Sequence, residues 1–325
     1  MGKINVLVSG AGGFIGHHLV KYLVHGGYHV RGVDLKLPEY ELSAAHEFIT
    51  ADLRQLSACD EAIRDIDEVY HLAADMGGIG YITSVHADVA RNNVLIDSNM
   101  LEASAAAGVR RFFYSSSACI YPVERQGWVG SKPLAEWEAY PANPEPAYGW
   151  EKLFAEELCK YYWGDKKLST RIARFHNIFG MLGTYQGGRE KAPAALCRKI
   201  ALAPDGGTIE VWGDGAQQRS YCYIDDCVEG IYRIMQSDIH QPLNLGSTEL
   251  VSVNKLIDII CKIAGKRIYK QYDLARPQGV RGRNSDNTLI KKLLGWEPST
   301  KLYDGLVQTY QWIEQQVKID SGSKC

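Results

Sequence analysis

The segment Ile4-Asn-Val-Leu-Val-Ser9-Gly10-Ala-Gly-Gly13-Phe14-Ile15-Gly16 sets out a short β-branched strand, a glycine-rich turn and the start of a helix, which continues through His17-His-Leu-Val-Lys-Tyr-Leu. This order is what a dinucleotide site requires. Gly10 permits the tight turn, Gly13 lets a pyrophosphate approach the backbone, and Gly16 lets the helix pack on the strand. Free N–H groups at the helix start, around Phe14 and Ile15, would face the phosphates. His29-Val-Arg-Gly-Val-Asp34 reads as the next strand, ending in a carboxylate. An acid there accepts hydrogen bonds from the ribose hydroxyls and repels a 2′-phosphate, so NAD is expected over NADP. Arg31 and Lys36 flank the same strand end and are the residues that would argue for NADP.

The strand and helix rhythm then repeats. Glu47 to Thr50 is an expected strand leading to Asp52 and Leu53, read as adenine-side contacts; Glu68 to Leu72 is a buried strand ending in Ala73 and Ala74, small enough to admit the nicotinamide half. Asp75 to Gly80 is too glycine-rich for an element interior and reads as a loop at the mouth of the site. A helix is expected over 85–107 with Gly108 as its stop, then a strand over 109–117, a helix over 148–163 and a sixth strand from Ser169 to His176. Such alternation predicts an α/β protein with a Rossmann-like, doubly wound parallel sheet and ligands at the carboxyl ends of its strands.

After Asn177 the pattern changes to a flexible approach, Gly180 to Gly188, and then a helix beyond Lys191. Thr208 to Trp212 and Arg219 to Ile224, joined through Gly213-Asp-Gly215, are expected to form a hairpin, with Asp225 or Asp226 capping the following helix. Leu243 to Leu245 is a further strand, Ser252 opens a helix that ends at Gly265, and two helices close the chain over 287–294 and 303–319. The tail Ser321 to Cys325 reads as disordered. Residues 1–177 are thus expected to form the NAD-binding domain, with one strand and helix added from about 220–250. Residues 178–325 would form a smaller α/β substrate-binding lid.

Composition narrows the function. The 325 residues carry 36 Lys and Arg against 38 Asp and Glu, a formal net charge of −2, which gives no electrostatic footing for nucleic acid or a membrane surface. The 8 cysteines show no CxxC or Cys/His spacing, so neither a disulfide framework nor a metal site is indicated. No apolar run approaches the roughly 18 residues of a membrane span, and the N-terminus enters a strand with no signal peptide. A cytoplasmic protein is expected.

The chemistry is concentrated between Arg110 and Lys152. Tyr148 and Lys152 stand at i and i+4 near the start of a helix and so project from one face. A lysine cation beside a phenol, joined by a positively charged cofactor, favours the phenolate; such a Tyr takes a proton from an alcohol while the carbon is oxidised. Ser117, at a strand end, would hydrogen-bond the same oxygen. Cys119 sits where it would point into the same cleft, as a base if a cation lowers its pKa. Arg219 and Arg283 are candidate diphosphate clamps, since a guanidinium grips phosphate oxygens in pairs.

These motifs, with Ser115-Ser-Ser-Ala-Cys-Ile-Tyr-Pro122, Arg174-Phe-His-Asn-Ile-Phe-Gly180, Gly187-Gly-Arg-Glu-Lys-Ala-Pro193, Trp212-Gly-Asp-Gly-Ala-Gln-Gln-Arg-Ser220 and Val280-Arg-Gly-Arg-Asn-Ser-Asp-Asn287, carry a resemblance. The chain resembles the extended short-chain dehydrogenase/reductases that act on nucleotide sugars, over about residues 4 to 318, and most closely the branch that inverts C3 and C5 of GDP-mannose. The resemblance implies that NAD oxidises C4 with Tyr148 as base, Lys152 lowering its pKa and Ser117 supporting the oxygen. Cys119 would then remove a proton from one face and Lys191 return one to the other, before C4 is reduced again. Gly77, Ser117, Ala118, Cys119, Asn177, Glu190, Lys191, Ala192, Lys199, Gln217, Arg219 and Arg283 fall on the family's substrate-binding positions. The family also implies a homodimer, for which helices 85–107 and 148–163 would supply a four-helix interface.

Neighbouring activities are separated by single positions. A 4,6-dehydratase would carry an acidic pair where Ala118 and Cys119 stand. A GDP-fucose synthase would carry a His at Lys191 and use NADPH, which Asp34 disfavours. A UDP-sugar 4-epimerase needs no Cys base but shares most other residues. A non-catalytic NAD sensor remains the reading from another class, and retention of Tyr148, Lys152 and Cys119 speaks against it.

Overall fold

The computed structural model describes residues 4–322. Its first half is built from β1 (Asn5–Ser9), α1 (Phe14–His25), β2 (His29–Asp34), β3 (Glu47–Thr50), α2 (Leu56–Ile63), β4 (Glu68–His71), α3 (Ile79–Ile82), α4 (His86–Ala106), β5 (Arg111–Ser117), α5 (Tyr148–Lys166) and β6 (Ser169–Phe175). β-branched and aromatic residues leave β1, β4, β5 and β6 buried on both faces, which is the signature of a parallel sheet covered by helices, while β3 forms an exposed edge. The second half runs β7 (Ile178–Phe179), α6 (Ala192–Leu202), β8 (Thr208–Trp212), β9 (Gln218–Ser220), β10 (Cys222–Tyr223), α7 (Ile224–Gln236), β11 (Leu243–Leu245), β12 (Leu250–Ser252), α8 (Val253–Ala264), β13 (Tyr269–Asp273), β14 (Gly282–Arg283), α9 (Thr288–Leu294) and α10 (Leu302–Gly322).

Seven strands form one sheet in the order β11-β6-β5-β4-β1-β2-β3, every neighbouring pair parallel. The strand order reverses between β1 and β4, and both strands deliver their carboxyl ends to one edge. That reversal opens a crevice for ligand. One sheet face is closed by Leu7, Val33, Val69, Met100, Phe112 and Ile172 with their helices. The other shares a continuous core with the C-terminal helices, from Val6 and Leu19 to Ile231, Ile257 and Ile313. Each such aliphatic side chain contributes about 1.5–3 kcal/mol when fully buried. The C-terminal half is therefore packed on the sheet through that core.

Several local readings are met closely. Gly10 adopts φ +73, and a Cβ on Gly16 would lie 2.0 Å from the Gly10 carbonyl oxygen, which explains helix-on-strand contact at that point. Ser252 accepts the Lys255 N–H at 3.1 Å as a helix cap.

Four local expectations are not met in full. No hairpin joins β8 to β9: β8 pairs in parallel with β13, β9 lies between β12 and β14, and β10 pairs with β7. Local alternation cannot choose among partners that lie far apart in sequence. Neither Asp225 nor Asp226 caps α7; Tyr223 occupies the cap without a side-chain bond, and Asp226 instead accepts the N–H groups of Ser299 and Thr300. The closing helix continues to Gly322 where a disordered tail was expected, and residues 323–325 lie outside the described residues. The loop expected over 75–80 is also shorter, because α3 starts at Ile79.

Candidate active site

The first turn of α5 is clamped to the turn that follows β5. The Glu145 N–H donates to the Cys119 carbonyl at 3.1 Å and the Gly149 N–H to the Glu145 carbonyl at 3.1 Å. Gly149 is required here, since a Cβ would fall 2.4 Å from the Cys119 oxygen. Ala147, just before Tyr148, is held at φ +56, a conformation that costs an alanine energy and persists only where its surroundings fix it. The Cys119 N–H donates to Ser117 Oγ at 3.2 Å. Cys119 and Tyr148 pack together with Val89, under Met76, Tyr81 and Val85.

Lys152 is 1% exposed, with Nζ 5.9 Å from the Tyr148 ring centre and 4.8 Å from that of Tyr114. Its nearest carboxylate is Asp97, Oδ2 at 3.9 Å, and no hydrogen-bond partner satisfies Nζ. Burial pushes the Tyr148 phenol above its usual range, against which Lys152 and the Ser117 hydroxyl pull downward. Burial likewise raises the Cys119 thiol, reinforced by Glu145 and opposed by Arg283.

Arg283 is held by three groups of the cleft. Its Nε donates to Gln126 Oε1 at 2.5 Å, one Nη meets Cys119 Sγ at 3.5 Å, and the other donates to the Glu145 carboxylate. Every edge of this guanidinium is engaged inside the cleft. Arg219, beside it in the β9–β14 register, donates to the Gln218 carbonyl at 2.8 Å and, among the described residues, has no carboxylate partner. Burial and the like charge of Arg283 hold it at about 10. An uncompensated guanidinium in a pocket is built for an anion.

Lys191 belongs to a separate segment. The Gly78 N–H donates to the Arg189 carbonyl at 3.0 Å, a Cβ on Gly78 would lie 2.4 Å from the Glu190 oxygen, and the Arg189 guanidinium stacks 3.8 Å over Tyr81. These contacts dock the 187–191 segment on the 75–82 segment. Burial lowers the Lys191 ammonium, while Cys119 and Cys227 act in the opposite sense. Gly77 is buried against Tyr81 in the same wall. Asn177, at φ +47, donates to the Ser220 carbonyl at 2.9 Å, and Gln217 donates to Trp212 at 3.0 Å while its own Oε1 is buried without a partner. Ala118 is buried in the 118–120 turn and Ala192 opens α6. Glu190 closes its own loop on the Gly188 N–H, and Lys199, on α6, donates to the Glu210 carbonyl.

The nucleotide end lies along β1 and β2. Asp34 Oδ2 accepts the Gly12 N–H at 3.0 Å, which ties the glycine loop to the end of β2. A half-open recess lies there between Gly12, Gly13, Phe14, Lys36 and Thr184. Arg31 is committed to Glu47 at 2.7 Å and to the Ala62 and Arg64 carbonyls, so it does not offer itself to a 2′-phosphate. Asp52 grips Arg54 and Leu53 is buried beneath it. The Ala73 N–H is fixed on Ser9 Oγ and Ala74 follows at the strand end. The open cradle at Gly13 and the orphaned Lys152 Nζ fit a dinucleotide whose ribose hydroxyls would satisfy that ammonium.

Sequence reasoning missed Glu145, Gln126, Asp97, His71 and Tyr114. Each acts through a side chain distant in the chain, and none carries a local motif.

A doubly wound sheet, a glycine loop closed by Asp34, and a Tyr and Lys pair beside a strand-end Ser define a dinucleotide-dependent enzyme that interconverts an alcohol and a ketone. The chain belongs to the NAD dependent epimerase/dehydratase family, whose model matches residues 6–246. Its cofactor is NAD. GDP-mannose 3,5-epimerase 1 of Oryza sativa subsp. indica is 48% identical over 318 residues, 97% of this chain and 83% of that protein. GDP-mannose 3,5-epimerase of Arabidopsis thaliana is 46% identical over 97% of this chain and 84% of its own. Among solved structures, UDP-glucose 4-epimerase of Thermotoga maritima with UDP-glucose superposes with a TM-score of 0.88 at 26% identity, covering 97% of this chain and 100% of that one. UDP-glucuronic acid 4-epimerase of Bacillus cereus, in complex with UDP-glucuronic acid and NAD, gives 0.83 at 27% identity, covering 96% and 100%.

Proposed function

We propose that this enzyme epimerises GDP-D-mannose at C3 and C5, giving GDP-L-galactose and the C5 epimer GDP-L-gulose. The observation that carries this reading is that Cys119 packs with Tyr148 under Met76 and Tyr81, the wall on which the Arg189-to-Lys191 segment is docked through Gly78 and Tyr81. A 4-epimerase needs only the tyrosine; inversion at carbons beside a ketone needs a base on one face and an acid on the other.

Gly10, Gly13, Asp34 and Lys152 would hold NAD, which would supply a two-electron acceptor and donor for C4 and a positive charge favouring the phenolate. Tyr148 takes the C4 hydroxyl proton, Lys152 stabilises the phenolate, and Ser117 holds the oxygen. Once C4 is a ketone, the protons at C3 and C5 become acidic. Cys119, with Arg283 on its sulfur, removes one; Lys191 donates to the opposite face, a role that its lowered pKa assists. Arg219 and Gln217 receive the diphosphate end, with Gly77, Asn177, Glu190, Ala192 and Lys199 shaping the wall. Residues 1–177, with α7 and β11, serve as the NAD-binding domain, and 178–325 as the substrate lid. Two copies pair through α4 and α5, and the protein works in the cytoplasm; among the described residues no helix is long and apolar enough to cross a membrane.

The test is incubation with GDP-mannose in D₂O followed by NMR of the sugar. Deuterium at C5 and C3 with inverted configuration is expected, and both Cys119→Ala and Lys191→Ala should abolish it. An unlabelled, unchanged sugar would sink the proposal.

A further inference from the structure

A buried chain of polar groups runs behind Lys152. Ser9 Oγ accepts the N–H groups of Leu72 at 3.1 Å and Ala73 at 3.2 Å, so its own proton goes to His71 Nδ1, 2.7 Å away. His71 therefore carries its proton on Nε2 and donates it to Asp97 Oδ1 at 2.9 Å. The Tyr114 hydroxyl donates to Asp97 Oδ2 at 3.0 Å, the same oxygen that lies 3.9 Å from Lys152 Nζ. Ser9, His71, Asp97, Tyr114 and Lys152 are each 0–1% exposed. The order Ser, His, Asp imitates a nucleophilic triad, but no solvent reaches Ser9, and its lone pairs are spent on the backbone.

The arrangement has another use. A buried carboxylate stays ionised only when donors and a cation face it, and a buried ammonium only when an anion does. Asp97 has two donors and Lys152; Lys152 has Asp97. We propose that Asp97, oriented by His71 and Tyr114, is the positioning residue for Lys152, fixing both the place of Nζ and its charge beside Tyr148. Four other segments, β1, β4, β5 and α4, thus set the electrostatics of the first turn of α5.

The charged and titratable groups around Lys152 are Asp97 from α4, with His71 of β4 behind it, Tyr114 from β5, and Tyr148, Glu151 and Cys159 from α5 itself. Asp97 holds Lys152 above its usual value against burial, and burial pushes Glu151 up to about 8. Glu151, bonded to Asn93 Nδ2 at 2.8 Å, raises Tyr148 when ionised, whereas Lys152 lowers it. Removing Asp97 and removing Glu151 should therefore act on Tyr148 in opposite directions.

This inference rests on Tyr148 serving as the base of the proposed reaction, so two readouts are needed. The first is the pH dependence of kcat/KM for GDP-mannose with the NAD holoenzyme. Asp97→Asn should move the acid limb upward by about one pH unit or more, roughly a tenfold loss below the limb, the scale of an opposite charge a few ångströms away. Tyr114→Phe should move it the same way by less, and Glu151→Gln should move it down. The second readout needs no substrate: phenolate absorbance of the NAD-bound enzyme, taken as a difference against Tyr148→Phe, titrated in the wild type and in Asp97→Asn. Absence of wild-type turnover would defeat the proposed reaction and leave this titration to decide on Asp97. An unmoved phenolate titration in folded Asp97→Asn, or a lowered Tm in Asp97→Asn and Tyr114→Phe with an unmoved acid limb, would overturn the assignment and reduce the chain to a structural network.

Discussion

Arg283 places one Nη 3.5 Å from Cys119 Sγ while its other Nη is neutralised by Glu145. The thiol thus meets a cation that is already half spent. Glu145 raises Cys119 and Arg283 lowers it, so Glu145→Gln should leave the guanidinium to act alone and bring the thiol down. Alkylation of Cys119 by iodoacetamide, followed by peptide mass spectrometry across pH, should show its midpoint fall by about one unit. A midpoint that stays or rises would contradict this reading of the pair.

Among the described residues Arg219 has no carboxylate partner, and its loss should be felt in binding. Arg219→Ala is expected to weaken the sugar nucleotide by about 2–3 kcal/mol, roughly fiftyfold in KM, with kcat changed far less. Inhibition by GDP should weaken in parallel. If kcat falls and KM stays, the residue acts on the transition state instead.

His176 is fully buried, bonds Asn244 Oδ1 at 2.9 Å, and is held down to about 3 by burial from an ordinary 6.5. The unfolded chain takes up this proton below about 6.5, whereas the native site refuses it until about 3. Stability is unaffected by this group above 6.5 and is lost progressively between those limits, on the order of a few kcal/mol. Thermal melts of His176→Gln should fall less steeply on acidification than the wild type. Parallel curves would remove His176 from the acid response.

Trp150, Phe154 and Tyr161 stand on one face of α5, each about half exposed. That stripe is what a second copy would cover. Light scattering should give a dimer mass for the wild type and a monomer for Phe154→Glu. A monomeric wild type would end the four-helix pairing.

Much of this enzyme is written locally. Gly10, Gly13 and Gly16 announce the dinucleotide turn because backbone conformation and close approach depend on the residue itself and its immediate neighbours. Tyr148 and Lys152 announce each other because helical spacing fixes their common face. The seven-stranded sheet follows from the alternation of strand and helix patterns, since parallel pairing needs a crossover between strands. The hairpin expected at 208–224 failed for the complementary reason. β8 and β9 alternate correctly, yet their partners, β13, β12 and β14, lie at distances along the chain over which no local preference extends.

The same division runs through the site. By itself the sequence determined the Rossmann sheet, the Asp34 that favours NAD, and the tyrosine, lysine, serine and cysteine proposed for the chemistry, because each sits in a short motif with its own geometry. Only the tertiary structure decided how those groups are charged: that Arg283 faces the thiol with Glu145 across from it, that Arg219 is left uncompensated, and that Asp97 stands behind Lys152. Charge in a buried site is set by whichever groups folding brings within a few ångströms, and those contacts join residues 97 to 152 and 145 to 283, which are adjacent only once the chain has folded.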